Sequence, residues 1–138
     1  MPAPDPHPPE VFDILKRKDP RTRIAVAGAS NNPEKYGNII VRNLRSKGYT
    51  VVPVNPREPM VEGMPAFRSV RDLDAPVDLL VVVTPPPATL RILGEAAEAG
   101  VPAVWLQDGS FDAAVLEFAR KAPFRTVHQA CVMVASNY

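Results

Sequence analysis

Between an apolar run, Ile24 to Ala27, and a segment of helical periodicity opening near Tyr36 lies Gly28-Ala29-Ser30-Asn31-Asn32-Pro33-Glu34-Lys35-Tyr36-Gly37. The chemistry open to such a stretch is anion binding. A turn of small residues between a buried strand and a helix presents backbone N–H groups to a phosphate, and the helix N-terminus adds roughly half a positive charge. Gly28 and Ala29 leave no bulk at the turn, Ser30 can cap or bind an anion, and Gly37 would let a ligand approach the helix opening. The G-x-G-x-x-G spacing of dinucleotide loops is absent, because Ser30 stands in the second glycine's place and the loop is longer. On pattern alone a phosphate loop and a plain strand–turn–helix corner both remain open.

Four further groups could do chemistry. Asn55-Pro56-Arg57 ends an apolar run where NAD-binding sheets place an acid for the ribose hydroxyls. A guanidinium there favours a phosphorylated ribose, as in NADP or coenzyme A, unless Arg57 is only a solvated loop residue. Thr84-Pro85-Pro86 offers a rigid apolar ledge, suited to an adenine face or an alkyl chain, or merely a stiff start to a helix. Leu106-Gln107-Asp108 closes another run, with Asp108 expected to cap the turn at Gly109. Cys131 and His128 could form a nucleophile and base only if the chain turns helical between them, and a buried inert cysteine is the commoner outcome. The other histidine, His7, lies in a proline-rich arm, and no tyrosine–lysine pair at helical spacing serves hydride chemistry.

The elements that must position these residues follow from periodicity. Met1 to Pro9 holds little that could pack and should be extended or disordered. Pro9 to Lys18 reads as a short helix with Val11, Ile14 and Leu15 on one face, and Asp19-Pro20 stops it. Arg23 to Ala27 is a strand apolar enough to be covered on both faces. A helix from about Tyr36 repeats Ile40, Val41 and Leu44, with Gly48 at its C′ position. Thr50 to Val54 is the next strand. Glu58 to Ala75 begins as a loop and contains a short segment capped by Ser69 with Asp72 in its first turn. Val77 to Val83 is a strand, stopped by Thr84 and the prolines, of which the later ones can open a helix. Ala88 to Ala99 turns Leu90, Leu93, Ala96 and Ala97 to one face, and Pro102 to Leu106 is a strand. Phe111 to Ala122 is a helix with Val115, Phe118 and Ala119 inward, Arg125 to His128 the last strand, and Gln129 to Ser136 a final turn.

Strand and helix thus alternate, which predicts an α/β fold: a Rossmann-like doubly wound parallel sheet in a single domain. Ligands of such sheets sit beyond the carboxyl ends of the strands. The residues just past each strand are therefore the site candidates: Gly28-Ala29-Ser30, Asn55-Pro56-Arg57, Thr84-Pro85-Pro86, Gln107-Asp108-Gly109 and His128 to Cys131.

With 138 residues the chain is one domain by size and can bury about two-thirds of its unfolded surface. Charged residues make up 22% and sum to +1, so no broad attraction to nucleic acid or a membrane surface is expected and any anion must be met locally. A single cysteine, Cys131, excludes an internal disulfide and suits a reducing, cytoplasmic setting. No apolar run reaches the length of a membrane span, and the proline-rich start is not a signal peptide. The arm and first helix leave an apolar face on which a homo-oligomer could form.

Taken together, Val26-Ala27-Gly28-Ala29-Ser30, Pro33-Glu34-Lys35-Tyr36-Gly37, Gly48-Tyr49, Val52-Pro53-Val54-Asn55-Pro56 and Trp105-Leu106-Gln107-Asp108-Gly109 resemble the small stand-alone CoA-binding proteins. Those are similar to the N-terminal CoA-binding domain of the succinyl-CoA synthetase alpha subunit and of ADP-forming acyl-CoA synthetases. The resemblance runs from about Arg21 to Val134 and implies coenzyme A lying across the strand ends. By position, Gly28, Ala29, Ser30 and the Lys35-Tyr36-Gly37 turn would hold the phosphates and adjacent ribose. Asn55, Pro56 and Arg57 would border the 3′-phosphate, although the synthetase pattern has its basic residue one place later, at Glu58 here. Thr84, Pro85 and Pro86 would lie under the nucleotide, and Leu106, Gln107 and Asp108 would meet the pantetheine end. The aromatic–arginine pair that many of the small proteins carry is replaced by Thr84-Pro85. The synthetases' phosphohistidine domain has no counterpart before Tyr138. The expectation is an arm (1–9) and a CoA-binding domain (10–138) that binds CoA or an acyl-CoA, with no metal and no catalytic residue. An NADP-binding oxidoreductase domain, or an acyl- or thiol-transfer enzyme using Cys131, are the alternatives.

Overall fold

Arg23–Ala27 (β1) carries four consecutive buried residues, as a strand covered on both faces must. The computed structural model describes residues 5–138 and places β1 inside a five-stranded parallel sheet with Thr50–Val54 (β2), Leu79–Val82 (β5), Ala103–Leu106 (β6) and Arg125–Val127 (β7). The spatial order is β2-β1-β5-β6-β7. The chain therefore moves outward from β1 to β2 and then returns past it to β5, so the winding reverses between β1 and β5. This is the α/β doubly wound, Rossmann-like single domain that the alternation predicts.

Because side chains alternate across a strand, the sheet feeds two cores. Ile24, Val26, Leu79, Val81 and Trp105 pack with Val11 and Leu15 of Pro9–Lys16 (α1), Ile40, Val41 and Leu44 of Tyr36–Ser46 (α2), and Val132 of Val132–Ala135 (α5). Ala25, Ala27, Leu80, Val82, Val104 and Leu106 face Ile92, Leu93 and Ala96 of Pro86–Ala99 (α3) and Val115 and Ala119 of Ala113–Lys121 (α4). Trp105 is fully buried, donates its Nε1–H to Ala130 O at 2.9 Å, and lies 5.0 Å from the ring of Phe12. Pro53 lies in edge strand β2, where its missing N–H breaks no ladder.

Helix boundaries follow local chemistry. Pro86 and Pro87 open α3, where a missing N–H is harmless, and Gly100 ends it in the left-handed conformation. Gly48, with φ +103°, follows the α2 C-cap, and Ser69 caps the 3₁₀ turn Val70–Asp72 through Arg71 N–H. Asp112 caps α4 by accepting from Val115 N–H at 2.9 Å.

Three expectations need correcting. Phe118 is not inward: it is 38% exposed, because α4 buries a narrow stripe through Val115 and Ala119 and Phe118 falls on its flank. The stretch after Glu58 is not only loop, since Met60–Val61 (β3) and Met64–Pro65 (β4) form a small antiparallel hairpin. Its turn has Glu62 at φ +50° and Gly63 at φ +74°, the doubly left-handed pattern of a tight hairpin. The Asp108–Gly109 turn is closed by Ser110, whose N–H and hydroxyl both donate to Gln107 O, and not by Asp108. Of the expected arm, residues 1–4 lie outside the described residues; beyond them Pro6 O accepts His128 N–H at 3.2 Å, so the arm meets the end of β7. No helix among the described residues is long and apolar enough to cross a membrane, and no cluster of His, Cys, Asp or Glu there could hold a metal ion.

Candidate functional site

The winding reverses between β1 and β5, and the carboxyl ends of the strands at such a reversal are where doubly wound sheets bind ligands. Gly28 leaves β1 with φ +92°, and a Cβ on it would lie 2.7 Å from Val83 Cγ2 and 3.1 Å from Thr84 Cγ2. The first loop thus runs directly against the Thr84-Pro85-Pro86 ledge after β5.

Side chains within and around the loop fix its path. Ser30 Oγ accepts Asn32 N–H at 3.0 Å, Asn32 Oδ1 accepts Glu34 N–H at 3.0 Å, and Asn32 O accepts Lys35 N–H at 3.1 Å. Asn55, past β2, donates Nδ2 to Ala29 O at 2.8 Å and accepts Arg57 and Glu58 N–H on Oδ1. Asn38, fully buried in the first turn of α2, donates Nδ2 to Ser30 O at 2.8 Å. A trans peptide points its C=O and N–H opposite ways. Holding the Ala29 and Ser30 carbonyls inward therefore turns the Ser30 and Asn31 N–H groups outward. These two groups, and the N–H groups of Tyr36 and Gly37, have no acceptor among the described residues. No side chain caps α2. The result is a row of free donors at a helix N-terminus, a ready anion site.

What approaches the helix opening at Gly37 is the loop itself. A Cβ there would stand 1.9 Å from Gly28 O, so the space beside Gly37 belongs to the loop's own backbone, which packs tightly on α2. Lys35 and Arg57 are exposed, and neither side chain has a partner among the described residues. Tyr36 is 66% exposed beside them. Ala29 and Leu106 have fully buried side chains and could meet a ligand only through their backbones. Pro56, Pro85 and Asp108 are exposed, while Thr84 and Pro86 are half-buried.

At the far end of the strand tips, Gln107 is buried and bridges two elements. Its Oε1 accepts Val132 N–H at 2.8 Å, and its Nε2 donates to Cys131 Sγ at 3.6 Å. Cys131 is extended and half-buried, and the left-handed Gln129, φ +59°, separates it from His128. The helical turn that would pair His128 with Cys131 does not form. His128 meets the edge of Phe111 at 5.4 Å instead, and burial, with His7 nearby, lowers its pKa. Burial also lowers the pKa of Lys47, which donates to Met133 O at 2.6 Å and Ser136 Oγ at 2.8 Å and so fastens α5 to the end of α2.

Sequence reasoning missed Asn31, Asn38 and Glu62. Asn31 donates Nδ2 to Met60 O at 2.7 Å and accepts Glu62 N–H at 3.0 Å, latching the β3–β4 hairpin to the loop. The one local signal was Glu62-Gly63, a turn pair between two short apolar steps. Two grooves lie away from the carboxyl ends of β1 and β5. One, of about 1040 Å³, runs between residues 5–10, α4 and β7, and the other, of about 650 Å³, lies where the chain enters β5 and β6. Neither collects the loop donors, and chemistry rather than volume makes the strand ends the candidate site.

Comparison with known proteins places the chain in a family. The ADP-forming acetate–CoA ligase II subunit alpha of Pyrococcus furiosus is 33% identical over 126 residues, which cover 83% of this chain but only 28% of that subunit. Uncharacterized protein YneT of Bacillus subtilis is 26% identical over 131 residues, 95% of each chain. A conserved hypothetical protein from Pyrococcus furiosus superposes with a TM-score of 0.79 at 44% identity, over 82% of this chain and 97% of that one. Residues 22–137, from the strand before the loop to the end of the C-terminal turn, match the CoA binding domain family, and the chain belongs to it.

Proposed function

We propose that this chain binds coenzyme A or an acyl-CoA, with the diphosphate on the Gly28–Gly37 loop and the adenine nucleotide against Thr84-Pro85-Pro86. The observation that carries the reading is the set of free N–H groups at Ser30, Asn31, Tyr36 and Gly37, placed at the switch point of a chain in the CoA binding domain family. Lys35 and Arg57 supply mobile cations for the phosphates, Arg57 being the nearer in sequence to the ribose position after β2. Asn55 and Pro56 border that position, and Gln107 and Asp108 stand where the pantetheine would end.

The reading is of binding without chemistry. The polar contact of the Cys131 thiol is with Gln107 Nε2 at 3.6 Å, and His128 does not pair with it. A single cysteine suits a reducing, cytoplasmic setting. The experiment is a melting curve of the purified chain with coenzyme A. Ligand at a hundredfold excess over its dissociation constant adds about 2.7 kcal/mol. A curve unmoved by millimolar coenzyme A removes the reading, and a larger shift with NADP replaces it by a nicotinamide-nucleotide site.

A further inference from the structure

Glu62 adopts φ +50° in the hairpin turn, a backbone conformation that glycine takes freely and an L side chain rarely does. The following Gly63 shows what such a turn ordinarily asks for. Glu62 puts its strained position to use. Its Oε2 accepts from Asn38 Nδ2 at 3.1 Å, its N–H donates to Asn31 Oδ1 at 3.0 Å, and its carbonyl accepts from Arg45 Nη1 at 3.2 Å.

Asn38 is the other half of the contact. It is fully buried, and every bond it makes reaches the loop or the hairpin directly or at one remove. The Nδ2 group is shared between Glu62 Oε2 and Ser30 O, while Oδ1 accepts Arg42 Nε at 2.6 Å. Arg42 in turn reaches Pro33 O at 3.4 Å. The amide is therefore held from both sides, and its orientation decides which way the Ser30–Asn31 peptide faces. With the Glu62 carboxylate gone, Nδ2 keeps Ser30 O and Oδ1 keeps Arg42, but the amide loses the bond that ties it to the hairpin and narrows its rotation.

We propose that Glu62 and Asn38 are a positioning pair: the hairpin carboxylate orients the buried amide, and the amide aims the Ser30 and Asn31 N–H groups at the ligand's phosphates. The proposal rests on the coenzyme A reading of the same loop. It assigns the β3–β4 hairpin a task in ligand binding through its bonds to Asn31 and Asn38.

Glu62→Gly and Glu62→Gln test it, because glycine suits the left-handed turn and both variants keep the backbone bonds to Asn31 and Arg45. Glu62→Gly should melt close to the wild-type temperature yet bind coenzyme A about five- to tenfold more weakly, the span of one lost hydrogen bond. Glu62→Gln, which keeps an oxygen acceptor, should restore most of the affinity. Hydrogen exchange without ligand should show faster exchange at Asn32, whose N–H bonds Ser30 Oγ, in Glu62→Gly than in the wild type. Wild-type affinity together with wild-type exchange in Glu62→Gly overturns the proposal. If the wild-type chain takes up no coenzyme A, the functional reading fails by itself, and the exchange comparison still decides whether Glu62 positions the loop.

Discussion

A methyl group on Gly37 would have to displace backbone. Its nearest neighbour would be Gly28 O at 1.9 Å, then Gly28 C at 2.9 Å, and neither belongs to a flexible side chain. Gly37→Ala should therefore cost about 3 kcal/mol or more, the upper range of overpacking, read as a lower urea midpoint with little change in slope. Gly94 provides the control. It lies inside α3 with ordinary φ and nothing within 4 Å of a new Cβ, so Gly94→Ala should stabilise by about 0.5–1 kcal/mol. A Gly37→Ala protein as stable as the parent would show that α2 does not seat on the loop this closely. The contrast marks what single residues reveal in a sequence. Small residues at 28–30 are legible as a loop that must come near something. Which atom comes near Gly37 is not, because Gly28 O reaches it only after the chain has turned back on itself. Asn38 was illegible for the same reason: a polar residue in a helix's first turn looks solvated until Ser30, Arg42 and Glu62 are found around it.

Elements longer than about five residues were legible from periodicity, and the two-residue strands of the hairpin were not, since two residues carry no alternation to detect. Helix faces were read with partial success. In α3 the repeat through Leu93 and Ala96 is right, but Thr89 and Ile92 are buried where Leu90 and Ala97 are only partly so. The junction of the arm with β7 carries a consequence for pH. His128 donates its backbone N–H to Pro6 O, its ring meets Phe111, and its Nδ1 is buried with no partner among the described residues. Burial first, and the neighbouring His7 second, lower its pKa below 6.5. The folded state then binds fewer protons at this site than the unfolded chain, so stability falls as pH drops below about 6.5 until the folded-state pKa is passed. Urea midpoints taken from pH 7.5 to pH 5 should decline, and His128→Phe, which keeps a ring against Phe111, should flatten the decline above pH 5. An unchanged slope in that variant would mean that His128 ionises as freely in the fold as outside it.

For the molecule as a whole, the strand order decides where a ligand can act. The order β2-β1-β5-β6-β7 puts the reversal between two inner strands, β1 and β5, whose residues are buried on both faces. The interior of the sheet thus carries the loops whose N–H groups are free, which is how a fold holds loop donors in fixed directions. The groove between the arm, α4 and β7 is the structural competitor: it is roomy, and its walls are apolar at Pro8, Leu116 and Phe124. The first residues of α1 and Ala113 of α4 also line it, but α1 opens on Pro8 and Pro9, which carry no N–H, beside the Glu10 carboxylate, so that helix start offers an anion less than the Gly28–Gly37 loop does. Hydrogen exchange with and without saturating coenzyme A separates the two. Amides 28–38 and 83–89 should slow on binding, since one peptide set bonds the phosphates and the other loses access to water beneath the nucleotide, while residues 113–128 exchange as before. β1 and β5 should be slowest in both states, because an opening that exposes them must break both cores. Protection centred on α4 and β7 would move the site to the groove, and the switch point would then be only the place where the chain changes direction.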